Sequence, residues 1–203
     1  MKKIICMLLA LLLLVGCVFT FASCIEDDSK NDEKNEQEND KKQEGEDNKE
    51  EEKEEDKKDE IVIPEGYVAY NDGKISFAYP KDWSKQSGSV SILQTLNGNN
   101  ITVAYEEKSD MYVNMTIETY NSTLKPVYEA MGMMVSNVKI EKKETNGLQI
   151  VQISQTTSIN GVTMTQTQYI LPIEDLNYVV TVTEVVADAA LRETVLNTLT
   201  VVK

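Results

Sequence analysis

Four dipeptides, Asp72-Gly73, Asn97-Gly98, Asn146-Gly147 and Asn160-Gly161, limit what the C-terminal part of this chain can become. Each can supply the positive φ angles of a type I′ turn, the connection whose twist matches that of two paired strands. The flanking sequence alternates as half-buried strands do. Ile75, Phe77 and Tyr79 fall on one side with Ser76 and Ala78 on the other, and Ile101, Val103, Tyr105 and Val113, Met115, Ile117 repeat the pattern. Strands joined by tight turns pair antiparallel, and strands apolar on one side need a covering layer.

Two helices are available to provide it. Ser122 is placed to cap a helix whose apolar positions Leu124, Val127 or Tyr128, Met131 and Met134 form one stripe, with Pro126 in the first turn where its missing N–H does no harm. Asp188 is placed to cap a second, in which Leu191, Val195 and Leu199 recur every four residues. Between them, from Val138 to Val186, the chain is rich in Val, Ile and Thr, which favour strands. The expected class is α+β, an antiparallel sheet packed with helices over residues 61–203 as one domain.

The string Ile75-Ser76-Phe77-Ala78-Tyr79-Pro80-Lys81-Asp82-Trp83 resembles the opening signature of the PsbP-like domains, named for the extrinsic photosystem II protein. The resemblance extends in element order from about Tyr67 to Lys203: early hairpins, a middle helix, a long meander, and a final helix followed by a short strand near Leu199 to Val202. It implies an α/β/α sandwich with a central antiparallel sheet, a fold whose bacterial members include secreted lipoproteins of unassigned function. The metal roles of the plant proteins do not carry over, because the chain has no histidine. Physically, Pro80 ends the strand because it cannot donate to a ladder, and Trp83, the single tryptophan, is read as a core residue folded back beside Phe77 and Tyr79.

The N-terminal part is built differently. Lys2 and Lys3 precede an apolar run from Ile4 to about Phe21, and small residues stand before two cysteines, Val15-Gly16 before Cys17 and Ala22-Ser23 before Cys24. This resembles a bacterial lipoprotein signal peptide, which implies cleavage and acylation of the cysteine that follows the cut. Leu14-Val15-Gly16-Cys17 fits the usual four-residue box better. Cys24 is nevertheless favoured, with Cys17 the alternative, because cleavage at Cys17 leaves Val18 to Phe21 as an apolar stub, whereas Glu26, Asp27 and Asp28 follow Cys24 almost at once. The expected organisation is a signal peptide over residues 1–23, a lipidated cysteine with an acidic tether over 24–60, and the globular domain beyond. Ile25 to Glu60 holds nineteen acidic and eight basic residues, so it carries most of the chain's net charge of −14 with one aliphatic side chain. Such a segment cannot offset the entropy of ordering and is read as a disordered spacer. Its r.m.s. reach is about 35 Å, lengthened by self-repulsion. Anionic lipid surfaces and nucleic acids are repelled by it.

The residues that are missing narrow the chemistry. The chain has no histidine, and Cys6, Cys17 and Cys24 all lie at or before the expected cut. A Ser-His-Asp triad, a thiol nucleophile, a disulfide and a Cys or His zinc site are therefore excluded from the domain. Ser122-Thr123-Leu124-Lys125 has the Ser-x-x-Lys spacing of serine β-lactamases but lacks the later Ser-Asp-Asn and Lys-Thr-Gly, so Ser122 is read as a helix cap. Met111, Met115, Met131, Met133, Met134 and Met164 could serve Cu(I), yet helical spacing accounts for part of the group as core. The Gln and Thr ladder from Gln152 through Gln168 reads as an exposed hairpin surface or a polar recognition face. No catalytic residue, metal or cofactor is assigned. The expectation is a lipid-anchored binding or assembly module on the outer face of the cytoplasmic membrane, contacting an envelope protein or wall polymer and not nucleic acid. A wall hydrolase using carboxylates or hydroxyls is the alternative.

Overall fold

Residues 61–86, 91–93 and 98–202 are described by a computed structural model of the chain. The expected acylation sites Cys17 and Cys24, the acidic tether and Asn97 lie outside them. In chain order the elements are β1 (Tyr67–Asn71), β2 (Ile75–Pro80), β3 (Ser84–Lys85), β4 (Ser91–Leu93), β5 (Asn100–Glu107), α1 (Asp110–Val113), α2 (Ile117–Thr123), α3 (Lys125–Ala130), β6 (Met134–Thr145), β7 (Leu148–Ile159), β8 (Val162–Ile173), β9 (Leu176–Glu184), α4 (Ala189–Thr198) and β10 (Thr200–Val201). β3 to β9 form a seven-stranded antiparallel sheet in the order β3-β4-β5-β9-β8-β7-β6, and β1, β2 and β10 form a second sheet in the order β1-β2-β10. Helices therefore lie on both sides of a central antiparallel sheet. Among the described residues no helix is long and apolar enough to cross a membrane.

Strand register sorts the side chains into two cores. Val103 sits opposite Val180 and Ile101 opposite Val182, so these four share one face. That face is covered by α4 and the small sheet, whose Ile75, Phe77, Leu191, Val195 and Leu199 are fully buried. Each such side chain contributes about 1.5 to 3 kcal/mol of burial. Trp83 joins this core, as its sequence position led us to expect. On the opposite face Val151 pairs with Ile170, and Ile153 lies two residues on, beneath Tyr112, Tyr120, Leu124, Tyr128 and Met133 of the α1 to α3 layer.

The long meander turns where the sequence marks it. Asn146-Gly147 and Asn160-Gly161 both have positive φ at the two central positions, as a type I′ hairpin requires. Asp72-Gly73 behaves otherwise. Only Gly73 has positive φ, and the connection from Asn71 to Ile75 is a three-residue loop held by Asp72 Oδ1, which accepts from the backbone N–H groups of Lys74 and Ile75, both at 2.9 Å. Asp188 caps α4 as expected, its Oδ1 accepting from Leu191 N at 2.9 Å.

Four expectations are corrected. Val113, Met115 and Ile117 are not a strand: they run through α1, the break after it and the start of α2. The reason is local, because Ser109 and Thr116 side chains accept from Met111 N and Thr119 N and so start two helices where alternation alone reads as extended. Ser122 is not an N-cap. It lies inside α2, where its hydroxyl donates to the Thr119 carbonyl, and Lys125 faces Glu129 at 3.8 Å, so the Ser-x-x-Lys spacing brings no amine to the hydroxyl. Met134 is off the helical stripe, in β6 and 71% exposed, while Met115, Met133 and Met164 are buried.

The Gln and Thr ladder is the fourth. Gln155, Thr157, Gln166 and Gln168 point toward the helical layer and are buried, so the hairpin is not an exposed surface on this side. Tyrosine phenols make this tolerable. Tyr120 Oη donates to Gln155 Oε1, Gln155 Nε2 donates to Gln166 Oε1 at 3.1 Å, and Gln168 Nε2 donates to Tyr128 Oη at 3.0 Å. Buried amides keep their partners through this network. The opposite side of the ladder, with Gln152, Ser154, Thr156 and Ser158, is half-buried.

Candidate functional site

Tyr105 sits one turn of alternation beyond Val103 on β5 and shares its face, yet it is 64% exposed where Ile101 and Val103 are buried. Its ring leans against Tyr178 of β9, with centroids 5.7 Å apart and planes tilted by 39°. The contact follows from register, since Tyr105 and Tyr178 are directly opposed in the β5–β9 ladder. Tyr178 itself is buried. The result is an aromatic ledge with one ring anchored in the sandwich and the other offered to solvent.

Two turns bring charges to the ledge. The β1–β2 turn contributes Asp72 and Lys74, and the β8–β9 turn contributes Glu174, which holds a positive φ of 50° without being glycine. A side chain in that region costs about 1 kcal/mol or more, and here it buys a link between the two sheets. Lys74 Nζ donates to both Glu174 oxygens at 3.1 and 2.9 Å, and Lys108 Nζ donates to the Glu174 carbonyl at 2.9 Å. Being exposed, the Lys74–Glu174 pair adds little stability on its own.

Behind the ledge, Tyr70 stacks on Phe77 at 4.7 Å, Lys85 Nζ lies 5.0 Å from the Tyr70 ring centre, and Tyr70 Oη donates to Asp72 Oδ2 at 3.3 Å. Burial first and the Asp72 carboxylate second push the Tyr70 hydroxyl up to about 12. Burial also raises the Tyr178 hydroxyl, with Asp72 adding to it and Lys74 opposing. Both phenols are therefore neutral hydrogen-bonding groups at any physiological pH.

The other face of the same sheet end holds a second polar group. Glu106 is opposed to Asn177 across the β5–β9 ladder, and the Tyr112 hydroxyl of α1 hydrogen-bonds the Glu106 carboxylate. Burial raises the Glu106 carboxyl above its ordinary value, and the Tyr112 bond opposes this. Tyr112 is raised by its own burial and then by Glu106. A carboxyl raised in the folded state favours the protonated form, so its contribution to stability is full below the unfolded value near 4.5 and is lost as pH rises through the folded value. Glu106→Gln is accordingly expected to flatten the stability profile in mild acid and to be more stable than the parent at pH 7. Denaturant midpoints from pH 4 to 8 test this, and an unchanged slope would refute it.

Alternation with Ile101 and Val103 places Tyr105 on a one-sided strand but carries no sign of its exposure. Its exposure depends on where the small sheet ends, a tertiary fact without a local signal. The Glu174-Asp175 turn was also missed, since neither residue is glycine or asparagine.

Among solved structures the chain is similar to the solution structure of cyanobacterial PsbP from Synechocystis sp. PCC 6803, at 13% identity and a TM-score of 0.49, over 69% of this chain and 95% of that one. It is also similar to the crystal structure of LpqN, described as involved in cell envelope biogenesis of Mycobacterium tuberculosis, at 13% identity and a TM-score of 0.41, over 68% and 91%. The first belongs to the family that the Ile75 to Trp83 string resembles. No family model and no curated protein matches the sequence.

Proposed function

We propose that the chain is a non-catalytic, extracytoplasmic binding module, moored by a lipid on Cys24 or alternatively Cys17, that contacts an envelope component or partner protein through the Tyr105 ledge. The anchor and the acidic spacer from Ile25 to Glu60 are the sequence support for its location. The observation that carries binding is Tyr105: a large ring, 64% exposed, braced by Tyr178, whose hydroxyl lies in the field of Asp72, Lys74 and Glu174. An aromatic side chain pre-positioned in this way loses little entropy when a partner covers it, and residues of this type concentrate binding energy. The spacer gives the ledge a radius of action of about 35 Å around its anchor.

A hydrolase needs two carboxyls converging on one bond. Glu106 has the raised pKa such an acid needs, but its sequence neighbour Glu107 points to the opposite side of β5, and Glu106 is engaged by Tyr112 beneath α1. The binding reading is the better supported.

Retention from detergent extract tests it. The acylated chain should hold a partner or wall polymer above background, Tyr105→Ala should lose most of it while melting like the parent, and mass spectrometry of the mature N-terminus should find the acyl group on Cys24 or Cys17. Retention equal in parent and variant, or no retention at all, would overturn the ledge as the contact surface.

A further inference from the structure

Among the described residues the seven-stranded sheet ends at β6, which pairs with β7 alone. The opposite end, β3, has two residues, whereas β6 has twelve. Which backbone groups of β6 face outward follows from its hairpin. Thr145 and Leu148 flank the two-residue Asn146-Gly147 turn and so form a hydrogen-bonded pair, which directs the N–H and C=O of Lys143, Glu141 and Lys139 toward β7. Those of Glu144, Lys142 and Ile140 point away. An edge of this length is a template for another strand unless its side chains forbid one.

Edge lysines usually do so by repulsion, but on β6 they are interleaved with Glu141 and Glu144, and their order selects a strand that fits. When a strand pairs antiparallel with its own copy, the two-fold axis crosses the sheet and passes through one residue, which meets itself on the same face. From Lys139 to Glu144 every residue except Ile140 is charged, so an axis at any other position sets like charge against like. An axis at Ile140 sets isoleucine against isoleucine, and Lys139 and Glu141 against Glu141 and Lys139 of the second copy. Val138 then meets Lys142, whose stem is apolar. The bulge between Ser136 and Lys139, with Asn137 at a φ of 53°, ends the regular edge on the other side.

We propose that β6 is a dimerisation edge, along which two copies of this chain join antiparallel about an axis at Ile140 to make one continuous sheet. Lys139 Nζ lies 2.8 Å from Glu141 Oε1 of its own strand and its side chain is 67% exposed, so it can cross the seam to the second copy's Glu141 by a change of rotamer. Ile140 is half-buried against the helical layer, and the second isoleucine covers the remainder. Tyr105 stands on β5, with β9, β8 and β7 in between, so the pairing and the ledge are independent of one another.

Sedimentation equilibrium of the full chain in density-matched detergent reads the self-association. A concentration-dependent dimer is expected, weakened about tenfold or more in Lys139→Glu and in Glu141→Lys, each of which sets two like pairs across the seam. Mixing these two variants restores the opposite pairs, so the mixture should dimerise within about threefold of the parent, an exchange that no contact within one copy can imitate. Lys143→Glu makes the same change of charge opposite Asn137 and should alter Kd by less than about threefold. Ile140→Pro removes an outward donor and spares the β6–β7 ladder, and it should be monomeric. Three results overturn the proposal. One is a monomer at every concentration up to about 0.5 mM, which leaves the edge to a foreign strand or to water. The others are a dimer indifferent to both charge reversals, and a mixture of the two variants no more dimeric than either alone.

Discussion

Replacing Arg192 by alanine is expected to destabilise the fold by about 3 kcal/mol, the largest loss foreseen for any single side chain that is partly in water. The reason lies with its partner. Glu184, at the end of β9, has a side chain with no exposed surface, whereas that of Arg192 is 30% exposed. Arg192 Nη1 donates to Glu184 Oε2, and the Asp188 backbone N–H donates to Glu184 Oε1. Removing the guanidinium leaves a carboxylate in the interior with one donor. Truncating one member of a buried pair costs about 3 to 5 kcal/mol, and partial exposure of Arg192 places this case at the lower end.

The damage should extend to the first turn of α4. Arg192 stands one turn from the Asp188 cap, and its own backbone carbonyl accepts from Tyr169 Oη at 2.9 Å. Denaturant unfolding gives the loss directly, with a fall in Tm of roughly 10 °C. The double variant Glu184→Gln with Arg192→Ala removes the buried charge as well, so it should recover part of the loss. A loss below about 0.5 kcal/mol in Arg192→Ala would mean that the pair behaves as a surface ion pair.

Much of this architecture is legible in the sequence, and the parts that are not share a cause. Leu191, Val195 and Leu199 recur at a spacing that fixes one helical face, and all three are fully buried. Asn146-Gly147 and Asn160-Gly161 encode their turns by backbone preference alone. These signals are local. Val113, Met115 and Ile117 also alternate, but a period of two over five residues arises by chance when Thr116, between them, starts a helix. Gln155 and Gln168 look solvent-facing because an amide is polar, and they are buried because Tyr120 and Tyr128, some 35 to 40 positions away, supply hydrogen-bond partners, with Gln166 satisfied in turn by Gln155. Tyr105 shows the converse. Its alternation with Ile101 and Val103 places it correctly on their face, yet the covering layer stops short of it. A ledge of this kind is the edge of a tertiary contact, and no periodicity in one strand records where another layer ends.

The same limit governs Asn177, where the second large effect is expected. Asn177→Leu should stabilise the fold by about 1 to 2 kcal/mol. Asn177 is fully buried on β9, and neither its Oδ1 nor its Nδ2 has a hydrogen-bond partner among the described residues. Its ladder neighbours explain the isolation. Across one side stands Glu106, and across the other stands Pro172, whose side chain has no polar atom. A buried amide without partners carries a desolvation penalty of about 1 to 3 kcal/mol, which a leucine, branched in the same way but bulkier, does not incur. Overpacking by the two methyl groups offsets part of the gain, hence the smaller figure. The measurement is the denaturant midpoint of Asn177→Leu beside that of the parent at one pH. A loss of more than about 1 kcal/mol would show that solvent holds the amide in place. The combination with Glu106→Gln separates the two polar groups beneath α1: if they are energetically independent their gains add, and if Asn177 tempers the Glu106 charge across the ladder the pair gains less than the sum.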